Sequence, residues 1–463
     1  MITADQHRAA NRFGLGASRV DALAMGDDPV GWLTHQLDKN QNDAGPKVPD
    51  SVTTLAQYLR MTMDRRQAQD RAQGDEENIA RIEQDQLTFR QQARRTIVDQ
   101  MGARFAYAVA TPTPYRERLV HFWSNHFTVS RQGKPQLIGS CVAYENETIR
   151  VGLDGFFADM LVRVVSHPVM LLYLDNAQSV GSKSRIGRRR KSGPNENLAR
   201  EVLELHTLGV DGGYDQEDVK SLANILTGWS VGNDRLGRLA VKPGAFAFVQ
   251  MMHEPGTFRL LGKRYSENGV DQGVEALRNL GNHPATARHL ATKLVRHFVA
   301  DEPPAKAVDK IAQVFIDTQG HLPSVHKALI GLSDAWRNEN KKLKTPHEYL
   351  VSVYRGLEIH PRRRIDAAAG SLRVMNHVPF NAPSPAGWPD LQSHWGSPNS
   401  LKQRIEWGIE VGRRVGSSTS IRNASDWLVD STASRLLLAS LERAESPAQA
   451  LAMLIASPDL QWR

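Results

Sequence analysis

The densest cluster of reactive side chains is NENLAREVLELHTLG, which places Asn195, Glu196, Asn197, Arg200, Glu201, Glu204 and His206 within twelve residues. On a helix, Asn197, Glu201 and Glu204 share one face, and Leu198, Val202 and Leu205 supply the opposite apolar side. Two carboxylates beside an arginine can divide acid and base duties or hold a metal. The same spacing also fits a surface ladder of Glu–Arg–Glu pairs, each worth about 0.5 kcal/mol. His206 stands about 140° around the helix from Glu201, so it joins the carboxylates only if the helix ends near Thr207, which Gly209 allows.

A second cluster is His121, Asn125 and His126 in HFWSNHF. The two histidines are five apart, which is not the HExxH spacing that brings two imidazoles to one metal. Taken alone, the cluster is better read as a core helix with aromatic packing and hydrogen-bonded histidines. Asp175 and Asn176, after MLLYL, suit either a site or a turn cap. The third cluster is basic, with His283, Arg288, His289, Lys293, Arg296 and His297 in NHPATARHLATKLVRHF. His289, Lys293 and Arg296 line one stripe that could meet a substrate's negative charge or simply face solvent. The run Lys183–Lys191 has six basic residues in nine and no aromatic residue for base stacking, so it predicts non-specific anion binding and no specific nucleic-acid recognition. Dinucleotide, P-loop, GxSxG and EF-hand signatures are absent.

The elements that position these residues read as mainly helical. Short helices are expected at 4–12 and 29–38, the second capped by Asp28 with Pro29 in its first turn. The span 51–110 is helical, with a charged, solvated stretch from Arg65 to Arg95. Core helices cover 115–130 and 141–175. Helices at 195–208 and 215–229 flank the VDGGY turn. A small β-hairpin is expected near 237–265, built from AFAFVQ and FRLLGKRY. Helices return at 270–298, 303–319, 322–338, 346–358 and 400–461, with a Pro-rich loop at 377–399. The expected architecture is a large multi-helix body with a minor β element. It forms one domain over 1–463, with an N-terminal part (1–110), a motif-bearing core (111–300) and a C-terminal part (301–463).

Composition bounds the function classes. The 463 residues are 40% hydrophobic and 23% charged, which excludes a disordered or fibrous chain. A single cysteine, Cys141, excludes an intrachain disulfide and any cysteine-based zinc site. A formal charge of +8 makes anionic partners conceivable. No apolar run is long enough to span a membrane, and MITADQHRAANRFGLG lacks the apolar stretch of a signal peptide. A cytoplasmic protein is therefore expected.

Motifs in fixed order carry a resemblance: NRFGLG, ERLVHFWSNHFTVS, LYLDNAQSVG, NENLAREVLELHTLGVDGGYDQEDVKSLANILTGW, HEPGTFRLLG, HPATARHLATKLVRHFV, PSPAGWPD and SPDLQWR. Over nearly its whole length the chain resembles the bacterial DUF1800 family, a domain of unknown function. The resemblance implies a polar signature at His121, Asn125, His126, Asp175, Asn176, Asn195, Glu196, Asn197, Arg200, Glu201, Glu204, His206, His253 and His283. Relatives often look exported and accompany a sulfatase- or phosphatase-like partner protein; the absence of a signal sequence here departs from that pattern.

The expectation is a hydrolase-type enzyme acting on a polar, anionic or glycan-like small molecule. Glu201, Glu204, Arg200 and His206 are the candidate catalytic residues. Asn195, Asn197, Asp175, Asn176, Lys293, Arg296 and His283 are the candidate substrate contacts. A divalent metal (zinc, manganese or iron) could sit on His121, His126, Glu201 and Glu204. Two alternatives remain open: a helical scaffold that binds an anionic partner, and a haem or di-iron redox protein, although tandem ExxH pairs are absent.

Overall fold

The fold is that of a computed structural model, described over residues 2–38, 43–71, 76–233, 241–337, 339, 341–360, 365–416, 421–429 and 435–463. It is mainly α with a minor β element. Pro29–His35 forms the expected short helix, with the Asp28 carboxylate accepting from Gly31 N at 2.8 Å. Helices α1 (Ser51–Arg71) and α2 (Glu76–Ala110) follow, and their described charged side chains between Arg65 and Arg95 are mostly exposed. Residues 72–75 of that stretch lie outside the described residues.

Next come α3 (Pro114–His126), the short α4 (Arg185–Arg190), α5 (Asn197–Glu201) and α6 (Gln216–Ile225). The expected helix over 141–175 is broken into shorter pieces, Cys141–Tyr144, a π turn at Glu145–Arg150, Phe157–Ser166 and Pro168–Tyr173. The last break falls at His167–Pro168, where proline favours a helix start and disfavours a continuing helix at the residue before it.

The expected small hairpin lies at 258–265, and a second two-stranded sheet accompanies it. Strand β1 (Trp229–Val231) pairs antiparallel with β2 (Phe246–Phe248), and β3 (Phe258–Leu260) pairs antiparallel with β4 (Lys263–Tyr265). AFAFVQ and FRLLGKRY therefore do not pair with each other. FRLLGKRY closes on itself because Leu261 and Gly262, with φ of 49° and 78°, form a two-residue turn of the kind that matches strand twist. Residues 237–240 of the expected span lie outside the described residues.

The remaining helices that matter here are α7 (Val270–Gly281), α8 (Pro284–Phe298), α9 (Ala305–Asp317), α10 (Pro346–Gly356), α11 (Pro398–Val415) and α12 (Pro447–Ala456). Buried apolar side chains fall into two clusters. The larger includes Phe13, Tyr115, Trp123, Phe127, Phe157 and the α8 stripe Leu290, Leu294 and Phe298. The smaller includes Phe105, Tyr349, Leu350, Tyr354, Leu451 and Ile455. Each fully buried Leu or Phe side chain contributes roughly 1.5–3 kcal/mol, so both clusters hold firmly. Helices α3 and α8 belong to the first, α10 and α12 to the second. Among the described residues, no helix is long and apolar enough to cross a membrane.

Candidate active site

A cavity of about 280 Å³ lies at the seam between the two clusters. Helix α3 contributes His121, Phe122, Asn125 and His126; α8 contributes Lys293, Arg296 and His297; the start of α10 contributes His347 and Glu348. The fourth side is the segment 377–391, with His377, Phe380, Trp388 and Asp390. This Pro-rich segment is thus an ordered wall. Asn125 clasps it, donating from Nδ2 to Trp388 O at 2.9 Å and accepting from Trp388 N at 2.8 Å. His377 packs against Trp388 and Trp395, with ring centroids 5.2 and 4.7 Å apart.

The carboxylates of the cavity are tied down. Glu348 closes a capping box at the start of α10, accepting from Thr345 N at 2.9 Å, and pairs with Arg118 and with Arg463 at 3.3 Å. Asp390 accepts from His297 Nδ1 at 2.8 Å, and Lys342 and Arg463 stand 3.7 and 3.8 Å away. Burial would raise both carboxyls, but their cationic neighbours win. Arg118 and Arg463 hold Glu348 well below its usual range, and His297, Lys342 and Arg463 do the same for Asp390.

The imidazoles behave in the opposite way. Desolvation lowers His121, His126 and His347 well below 6.5, brings His377 to about 3 and lowers His297 despite Asp390. At neutral pH they are uncharged, each ring offering one donor and one acceptor. Among the described residues, three ring nitrogens of this cavity are buried without a hydrogen-bond partner: His121 Nε2, His126 Nδ1 and His297 Nε2. His121 Nε2 stands 3.2 Å from Glu117 Oε1, but out of hydrogen-bond alignment.

The free positive charge comes from α8. Arg104 is spent on Glu145 and Arg118 on Glu348. Arg296 reaches a backbone carbonyl, Asp301 O, at 3.3 Å, and among the described residues neither it nor Lys293 has a carboxylate partner. Burial, opposed by Asp390 and reinforced by Arg296, lowers the Lys293 amine to about 8.

Of the residues singled out from the sequence, the structure joins His121, Asn125, His126, Lys293, Arg296 and His297 and leaves the others elsewhere. A π turn over Val202–His206 follows α5 and buries His206, whereas Glu201 and Glu204 stay half-exposed on the other side. His206 therefore does not join the carboxylates. Its backbone oxygen faces His126 Nε2 at 3.2 Å, and its ring lies 6.1 Å from that of His126. Glu201 is raised by burial and then by Glu204, with Arg200 opposing. Arg200 itself pairs with Glu196 at 3.0 Å.

Asn195, Asn197, Asp175 and Asn176 form a polar seam of backbone contacts. Asn176 Nδ2 donates to Leu226 O and Trp229 O, both at 3.1 Å, and Asn197 N donates to Asn195 Oδ1 at 2.9 Å. Asp175, in the left-handed region, pairs with Lys134 at 2.6 Å. His283 caps α8, accepting from Ala285 N at 3.2 Å. The ligand set expected for a metal, His121, His126, Glu201 and Glu204, does not converge. Among the described residues, no three His, Cys, Asp or Glu side chains are grouped to hold a metal ion.

Glu348, His347, His377 and Asp390 were not singled out from the sequence. The signals were present in TPHE, a capping-box pattern, and in PSPAGWPD, but neither spacing reveals that they face α3 and α8.

A mainly α body with a cavity lined by imidazoles, carboxylates and cations among apolar walls defines the class of protein. The chain belongs to the DUF1800 family, described as "Protein of unknown function", whose model matches residues 8–462. No curated protein and no solved structure matches it.

Proposed function

We propose that the cavity is the active site of a hydrolase-type enzyme for a small anionic substrate, with His297 as its acid–base group. The observation that carries this is the Asp390–His297 couple, in which Nδ1 is held at 2.8 Å while Nε2 has no hydrogen-bond partner among the described residues. A carboxylate on one ring nitrogen fixes the tautomer and orientation that leave the other free to take a proton. Water at Nε2 would give up its proton as its oxygen adds to the substrate, and the imidazolium would return that proton to the leaving group. Asp390 stabilises the charged ring during the step. Lys293 and Arg296 would hold the substrate's negative charge. Trp388, Phe122 and Phe380 offer flat apolar walls suited to a sugar or aromatic ring.

The test pairs binding with turnover. Calorimetric titration with inorganic phosphate and sulfate is expected to show binding that Lys293→Met weakens at least tenfold. A panel of p-nitrophenyl phosphate, sulfate, acetate and glycosides is expected to yield one activity that His297→Ala abolishes and Asp390→Asn lowers by orders of magnitude. Anion binding unaffected by Lys293→Met, or an activity untouched by His297→Ala, overturns the proposal.

A further inference from the structure

The basic run that the cavity leaves unused forms a fixed platform. Of Lys183–Lys191, residues 185–190 are the short helix α4, and Lys183, Arg185, Arg188, Arg189, Arg190 and Lys191 are all exposed. Among the described residues, none of the six makes an ion pair. The helix is nevertheless anchored at several points. Ser184 caps it, accepting from Gly187 N at 3.0 Å, and the Glu254 carboxylate accepts from Lys183 N at 2.7 Å. Gly187 sits so close to the backbone that an added Cβ would lie 1.9 Å from Gly181 O. Gly181 N in turn donates to Met252 O at 2.8 Å.

A flexible charged tail can spread its cations apart; this helix cannot. Arg185 lies three and four residues before Arg188 and Arg189, so like charges are held on adjacent turns, an arrangement that opposes the helix. Lys191 ends it at φ 53°, a conformation that disfavours side chains other than glycine. The fold therefore maintains an array of unpaired cations against its own local preference. A surface of many weakly specific anions offsets this repulsion.

We propose that α4 and its flanks form a docking surface for an anionic lipid bilayer. Two features favour lipid over nucleic acid. The platform has no aromatic side chain on which a base could stack. Its neighbour Met251 is 43% exposed beside Arg185, whose guanidinium lies 4.0 Å from the Met251 sulfur, so an apolar group flanks the charges. Basic residues combined with an exposed apolar side chain suit the headgroup–acyl boundary of a membrane. The docked protein would sit peripherally, without insertion of a span.

Vesicle co-sedimentation tests this on the full chain. Vesicles of phosphatidylcholine with about one third phosphatidylglycerol are expected to bind at low salt, and pure phosphatidylcholine vesicles are not. Each juxtamembrane charge changes partitioning about fivefold, so Arg188→Gln/Arg189→Gln/Arg190→Gln is expected to lose about a hundredfold. The matching triple lysine variant, which keeps the charge, is expected to retain binding and controls for misfolding. Raising salt is expected to release the wild type. Absence of binding to the anionic vesicles, equal binding by the glutamine variant, or preference for duplex DNA over those vesicles would overturn the proposal. Any of these results leaves the cavity reading intact, since the two sites share no residue.

Discussion

Lys293 gives the most discriminating prediction, because its role in binding and its effect on stability oppose each other. Its amine is lowered from 10.5 to about 8, chiefly by burial. At 1.36 kcal/mol per pH unit, that depression corresponds to about 3 kcal/mol, and solvent around the half-buried side chain reduces the expected effect to about 1–2 kcal/mol. The sign follows from proton counts. Between about pH 8 and 10.5 the unfolded chain holds the proton and the folded one does not, so stability rises with pH across that window. Below it the folded protein carries a charge it disfavours. Lys293→Met keeps the length of the side chain and removes the charge. It is therefore expected to stabilise the protein by about 1–2 kcal/mol near neutral pH, with the advantage fading to nothing by about pH 10.5. Urea unfolding of both proteins, followed by far-ultraviolet circular dichroism at neutral and alkaline pH, reads the difference. A variant no more stable at neutral pH, or an advantage that does not change with pH, refutes the reasoning. A stabilised variant that no longer binds phosphate would show a residue kept for binding at the expense of the fold.

Other outcomes follow from the same network. Asp390→Asn removes the carboxylate shared by His297, Lys342 and Arg463; Asp301 still pairs with Lys342 and Glu348 with Arg463, so the expected cost is about 1–3 kcal/mol in thermal or urea unfolding. Asp390 and Glu348, both held below their usual range, stabilise the fold fully above about pH 4, near the unfolded carboxylate pKa. That contribution is lost as the pH falls further, so the acid transition of Asp390→Asn is expected to be shallower in a pH series of melting temperatures. Asn125→Ala removes both hydrogen bonds to Trp388 and is expected to cost about 1–3 kcal/mol, with faster amide exchange over 384–391. Cys141 is buried and its thiol is pushed up to about 12, so it should stay unreactive toward a thiol-specific disulfide reagent in the native protein and react on unfolding.

Local chemistry was readable in the sequence wherever a residue's partner lay within a few positions. Asp28 and Pro29 start a helix as expected because a cap and its amide are neighbours. The same is true of the amphipathic α8, whose buried side repeats at helical spacing. Prediction faltered where the backbone left a regular period. The π turn at Val202–His206 cannot be read from 3.6-residue spacing, and it separates His206 from Glu201 and Glu204. The β1–β2 sheet was hidden because β2 pairs backward to Trp229–Val231, not forward to FRLLGKRY. The cavity was least legible. Lys293 and Arg296 drew notice as charges, but the carboxylate that orients His297 lies 93 residues away, on a segment whose prolines suggested only a loop.

The ties that close the cavity also bear on how the protein is made. Arg12 Nη2 donates to Arg463 O at 3.4 Å, across 451 residues of chain, and Arg463 Nη1 donates to His297 O at 2.8 Å. Lys342 and Arg463 exchange backbone hydrogen bonds at 3.1 and 2.9 Å. Contacts of such sequence separation form late, because the entropy of closing the loop must be met before they contribute. On the ribosome, helices α3 and α8 can collapse into the first apolar cluster long before residue 463 leaves the tunnel. A nascent chain that has not yet delivered residues 377–391 lacks the wall that carries Trp388 and Asp390, so His297 is then without its carboxylate. Completion of that wall, rather than formation of the helices, sets the moment at which a functional molecule exists.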